Sequence, residues 1–238
     1  MASDDDIELP PSLAHAWGRR ARPTKGPRPA LSLERIVDAA VAVAEVDGLD
    51  AVSMGRVAGE LGSSPMSLYR YVGAKDELLA LMIDAALGPP PAAPAGGWRE
   101  WLSHWAWGYH HVLRRHPWVL RIPITAPAIT PNLTAWLEQG LRCLGDTGLA
   151  EDQKLSVMLL LSGYVRNEAT LAADIGSGTA GEVMPTWGRL LRQLTTPEDF
   201  PALHAALGSE AFAHDDDPDD EFVFGLERVL DGVAALIG

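Results

Sequence analysis

The stretch "LGSSPMSLYRYVGAKDELL", Leu61 to Leu79, decides how this chain folds. Gly62 ends one apolar-periodic segment, and Ser64 followed by Pro65 opens the next, a capping hydroxyl and then a residue whose missing N–H costs nothing in a first helical turn. Leu68 and Val72, four apart, face one way into a core. That leaves Ser64, Pro65, Ser67, Arg70 and Tyr71 as an outer surface, with Met66 a further candidate for DNA binding. Two short helices around a glycine turn have the proportions of a helix-turn-helix, whose second helix lies in the DNA major groove. Small residues at that helix start let the backbone approach base edges, and Arg70 can make a bidentate contact with guanine. The hydroxyls of Tyr69 and Tyr71 suit phosphate oxygens. Lys75 opens the next helix, where a cation opposes the helix dipole unless a phosphate sits between them. Ser53, the cap of the preceding helix, completes the candidate DNA-binding set.

Working outward, Ser32 caps a segment in which Leu33, Ile36, Val37, Ala40, Val43 and Ala44 recur at helical spacing until Gly48. The segment capped by Ser53 carries Val57, Ala58 and Leu61 on one face. Lys75 to Leu87 reads as a helix with Leu78, Leu79, Met82 and Ala85 inward. The run "GPPPAAPAGG" at 88–97 has linker composition. Beyond it, helices are expected at about 98–115, 131–145, 151–174, 185–195 and 220–237, with shorter pieces near 117–122 and 198–208. No long apolar and polar alternation calls for a sheet. The expected class is therefore all-α: a flexible arm over 1–31, a helix-turn-helix domain over 32–87, a linker over 88–97 and a larger helical domain over 98–238.

With 238 residues and 47% apolar content, the chain can bury a substantial core. Apolar runs such as "VMLLLSGYV" at 157–165 fall short of the ~18 residues that cross a bilayer, so no membrane partner is expected. The acidic start "MASDDDIELPP" is no secretory leader, and a cytoplasmic protein is expected. Cys143, the single cysteine, excludes an internal disulfide and a cysteine-based zinc site. The net charge of −13 is unevenly spread: residues 17–75 hold nine Lys or Arg against six acids, and residues 76–238 hold ten against twenty-two. A polyanion can dock at the net-positive stretch, which surrounds the opening motif. Arg19, Arg20, Arg22, Lys25 and Arg28 form a basic arm suited to phosphates or the minor groove.

Residues 31–87 resemble the DNA-binding domain of the tetracycline-repressor (TetR) family, through "DGLDAVSMGRVAGELG" at 47–62 followed by "SLYRYVGAKDELL" at 67–79. The C-terminal part, in "GYVRNEATLAADI" and "FVFGLERVLDGVAALI", is similar to the subgroup that contains the tetracycline repressors themselves. The resemblance implies that Tyr69 and Lys75 occupy phosphate-contacting positions, that Ser67 and its neighbours face bases, and that the helix over 75–87 couples the two domains. It also implies a homodimer whose four-helix interface takes the helices at 151–174 and 220–237 from each subunit. On the sequence alone, Phe222, Leu226, Val229, Leu230, Val233, Leu236 and Ile237 make a stripe broader than a lone surface helix needs. Met158 and Leu161 join Phe222, Leu226, Val229 and Val233 as the candidate dimer face. A two-fold dimer would set its recognition helices about 34–36 Å apart on a pseudo-palindromic double-stranded operator.

Five of the eight tryptophans lie between 98 and 118, and Trp98, Trp101, Trp105, Tyr109 and Val112 recur on one helical face. Such density serves core packing and also suits an apolar small-molecule pocket. Ile124 and Trp136 join the candidate lining, and His104, His116, Thr125, Arg166 and Asn167 are its polar tips. Tetracycline repressors proper carry a histidine for a drug-chelated magnesium where Ile124 stands here, so tetracycline is not the expected effector. His104 and His111 are separated by a rise of about 10.5 Å along one helix and cannot share an ion. The run "HDDDPDDE" at 214–221 lacks the glycine and glutamate of a calcium loop. "GSGTAG" at 176–181 lacks the Lys-Ser or Lys-Thr of a phosphate loop, and it follows a helix. No metal, no cofactor and no enzymatic activity are expected. The expected function is a dimeric regulator that represses from a palindromic operator until a small apolar or amphipathic effector releases it. The alternatives are a DNA-binding regulator with no effector and a helical enzyme.

Overall fold

The computed structural model describes residues 9–19, 31–124, 129–176, 183–209 and 219–238. Arg20 to Arg28 of the basic arm, Thr125, residues 177–181 of "GSGTAG" and residues 214–218 of "HDDDPDDE" lie outside the described residues. The described elements are all helical, without a strand among them, as the sequence patterns require.

The first element corrects the expectation of an arm without structure over 1–31. Helix α1 (Pro11–Ala16) starts with proline in its first turn and buries Ser12 and Leu13. Next come α2 (Leu33–Asp47), α3 (Met54–Glu60) and α4 (Pro65–Tyr69). Each begins at a serine: Ser32, Ser53 and Ser64 accept from the amides of Arg35, Arg56 and Ser67 at 3.3, 3.1 and 3.3 Å. Gly62, at φ 59°, makes the tight turn between α3 and α4 where a side chain would be strained. Helix α5 (Lys75–Leu87) then packs on α2. Ile36, Val57, Leu68, Val72, Leu78 and Met82 are fully enclosed in this core. Leu81 also points inward, while Ala85, expected there, is exposed.

Helix α6 (Trp98–Arg115), a 3₁₀ turn (Pro117–Arg121) and α7 (Pro131–Cys143) belong with α1–α5 to a first compact unit, residues 1–146. Residues 88–97 hold no helix, yet they are pinned rather than free. Trp136 Nε1 donates to the Gly88 carbonyl at 3.0 Å, Trp101 Nε1 donates to that of Pro94 at 2.7 Å, and Gln139 donates to that of Pro91. Pro91 lies so near Gly108 that an added Cβ would meet it at 3.0 Å.

The second unit, residues 147–238, comprises α8 (Glu151–Gly176), α9 (Val183–Leu194), α10 (Pro201–Leu207) and α11 (Asp220–Ile237). Helices α8 and α11 pack together. Tyr164 stacks on Phe222 at 5.8 Å and donates to the Phe222 carbonyl at 2.8 Å. Gly225 makes that approach possible, since a Cβ there would stand 2.4 Å from the Tyr164 hydroxyl. Met158, Leu161, Phe222, Leu226 and Val233, expected at a subunit interface, are instead buried within the single chain, and Val229 is half-buried. The stripe is divided between a buried and an exposed side. Its outer part, Leu155, Leu159 and Leu160 on α8 with Val223, Phe224 and Leu236 on α11, stays exposed.

Candidate nucleic-acid interface

Burial of Leu68 and Val72 sets which way α4 faces. Ser64, Pro65, Met66, Tyr69 and Arg70 are exposed, and Ser67 is half-buried with its hydroxyl 2.9 Å from that of Ser64. Ser53 is exposed, but its hydroxyl is engaged as the cap of α3. Tyr71 departs from expectation: its hydroxyl donates to the Leu31 carbonyl at 3.1 Å and so anchors the entry to α2. Tyr69, 49% exposed, keeps an outward-facing ring.

The cations differ in a way that matters. Arg56 is held between Asp47 and Glu60, whereas neither Arg70 nor Lys75 has an ion-pair partner among the described residues. Lys75 opens α5, whose N-cap, Ala74, has no side chain to bond the first free amides. This surface therefore presents two cations without an ion-pair partner among the described residues, an exposed tyrosine and a helix start whose N-cap makes no side-chain bond.

Two polar clusters secure this face to the helices behind it, and the sequence reading found neither. Asp84, buried near the end of α5, accepts from the amides of Asn132 and Leu133 at 2.8 and 3.2 Å, and so caps α7 from another helix. Asn132 Nδ2 returns a bond to the Asp84 carbonyl at 2.9 Å. A lone acid in the last turn of an apolar helix opposes the helix dipole, which was the available signal. On α2, Glu45 accepts from Trp118 Nε1 at 2.5 Å, with His116 Nδ1 at 2.6 Å. Burial opposes ionisation of Glu45, but the Trp118 and His116 contacts outweigh it and hold its carboxyl below the ordinary 4.5.

Within the first unit, several of the candidate ligand-binding residues pack against one another. Trp105 and Trp136 are buried and meet edge to face at 5.6 Å, and Tyr109 lies 5.5 Å from Trp105. Trp105 Nε1 donates to the Trp136 carbonyl at 2.9 Å, so the indoles of Trp101, Trp105 and Trp136 all spend their N–H groups on backbone. A void of about 10 Å³ remains beside Trp101, His104, Gln139 and Cys143, room for one water. Burial raises the half-buried Cys143 thiol to about 12, which disfavours the reactive thiolate. His116 is turned to Glu45, Val112 is half-buried, and Ile124 is 74% exposed. Arg166 and Asn167 lie on α8 of the second unit.

Comparison with known proteins agrees with this geometry. Residues 36–82 match the family described as bacterial regulatory proteins, tetR family, and residues 90–237 match the tetracyclin repressor-like C-terminal domain. This chain belongs to the TetR family. It is 36% identical to the transcriptional repressor DrrR1 of Streptomyces coeruleorubidus over 235 residues, 95% of this chain and 86% of that one. ActR from Streptomyces coelicolor, solved in complex with actinorhodin, shares the fold with a TM-score of 0.77 and 31% identity, over 87% of this chain and 99% of that one. The class E tetracycline repressor of Escherichia coli is 26% identical over 139 residues, 56% of this chain and 65% of that protein. As a TetR-family protein the chain is a transcriptional regulator with a DNA-binding helix-turn-helix, formed by α3 and α4, and the family is not one of enzymes. Helix α1 lies outside both matched ranges. Among the described residues, no helix is long and apolar enough to cross a membrane, and no group of His, Cys, Asp or Glu could hold a metal.

Proposed function

We propose that this chain is a homodimeric repressor that binds a palindromic double-stranded operator in the cytoplasm and leaves it when a small apolar or amphipathic molecule binds. The exposed face of α4 and the start of α5, with Arg70 and Lys75 unneutralised over an enclosed Leu68 and Val72, carries this reading. Residues 32–87 act as the reading domain, and residues 98–238 take the effector and form the dimer. Repression follows the DrrR1 relative, and a small-molecule effector follows ActR with actinorhodin. In the reading domain Ser64, Pro65, Met66, Ser67 and Arg70 approach base edges, while Tyr69 and Lys75 hold phosphates. The subunits meet through Leu159, Phe224 and their exposed neighbours on α8 and α11. An effector shifts operator affinity only through unequal binding to two conformations, with couplings of about 1–3 kcal/mol.

Selection of bound duplexes from fragmented genomic DNA of the source organism, at two salt concentrations, tests the reading. An inverted repeat whose affinity falls with salt supports a dimeric operator binder. Recovery of no preferred sequence would refute it.

A further inference from the structure

Helix α1 runs beside α5 and makes a different contact at each end. Ser12, 1% exposed, donates to Glu77 Oε2 in the first turn of α5. That oxygen also accepts from the Gly73 amide, in the turn that leads from α4 to Lys75. Just beyond α1, Trp17 Nε1 donates to the Ile129 carbonyl at 2.7 Å, two residues ahead of the α7 turn that Asp84 caps. Between these ends Leu13 is buried, and His15 Nε2 lies 3.3 Å from Glu34 of α2. Behind the helix an open cavity of about 750 Å³ is lined by His15, Ala16, Leu33, Val37, Leu81 and Asp84, among others. Helix α1 is thus fastened by polar clips at its ends and one leucine, with little packed apolar surface beneath it, the condition for a segment of low local stability.

We propose that α1 is a brace on α5. It ties the turn that presents Lys75 to the start of α7, so the direction of α5, and of α4 with it, is set from both ends. Ser12 and Trp17 are its positioning residues.

Hydrogen exchange of the full-length protein, compared among wild type, Ser12→Ala and Trp17→Phe, tests this. Each substitution removes one donor and leaves the helix. A brace transmits the loss: Ser12→Ala speeds exchange about fivefold at residues 130–134 as well as 73–78, and Trp17→Phe does the same in reverse, the change that one lost hydrogen bond makes in an opening equilibrium. Effects confined to the substituted end overturn the proposal, as does no effect. The consequence for DNA rests on the regulator reading. On the selected duplex both variants lose about tenfold in specific affinity and keep their non-specific affinity, because phosphate contacts tolerate a turned reading head and base contacts do not. Unchanged specific affinity would overturn the positioning role. The exchange readout needs no DNA, so failure of the brace and failure of the regulator reading stay distinguishable.

Discussion

Lys75 and Arg70 are both exposed, and under the proposed function they act on DNA in separable ways. If Lys75 supplies charge to a phosphate as proposed, Lys75→Ala should weaken binding to all duplexes alike and reduce the slope of log affinity against log salt by about 0.9. If Arg70 reads a base edge as proposed, Arg70→Ala should cost about 1–3 kcal/mol on the selected site and relax its preference at one base pair, measured by competition among single-base variants. Glu45 carries a pH signature. Its folded carboxyl is depressed by Trp118 and His116, so its contribution to stability is complete above the ordinary 4.5 and is lost as pH falls through the depressed value. The Tm difference between wild type and Glu45→Gln should therefore shrink as pH drops below 4.5. A pH-independent difference would mean that the cluster acts by packing alone.

At the scale of elements, α4 is too short to hold itself. Five residues make little more than one turn, and it persists because Leu68 is enclosed and Ser64 caps its start. The junction of α5 and α7 is likewise a capping problem solved by another helix, since Thr130, the N-cap of α7, makes no side-chain cap bond. Asp84→Ala should uncover the amides of Asn132 and Leu133 and cost about 0.5–2 kcal/mol in urea unfolding. A loss below that range would show that the amides find other partners.

For the whole molecule, the exposed apolar residues of α8 and α11 define the prediction. Leu159 is 75% exposed and Phe224 62%, so paired changes Leu159→Asp and Phe224→Asp leave the chain's own core intact. Sedimentation should find a monomer, and operator affinity should fall with it, because one reading head cannot hold both halves of a palindrome. A persistent dimer would move the interface elsewhere. The sequence by itself determined the all-α class, the serine caps, the glycine turn and the inward pair Leu68 and Val72, because periodicity and capping act within a few residues. It also marked the family. What only the tertiary structure decided are contacts between distant segments: α1, too short at six residues to show a period; the tryptophans that clasp residues 88–97; Asp84 on α7; and Glu45 on His116 and Trp118. It also divided the stripe of α11 between a buried and an exposed side, since a hydrophobic pattern records that a face is covered but not by what.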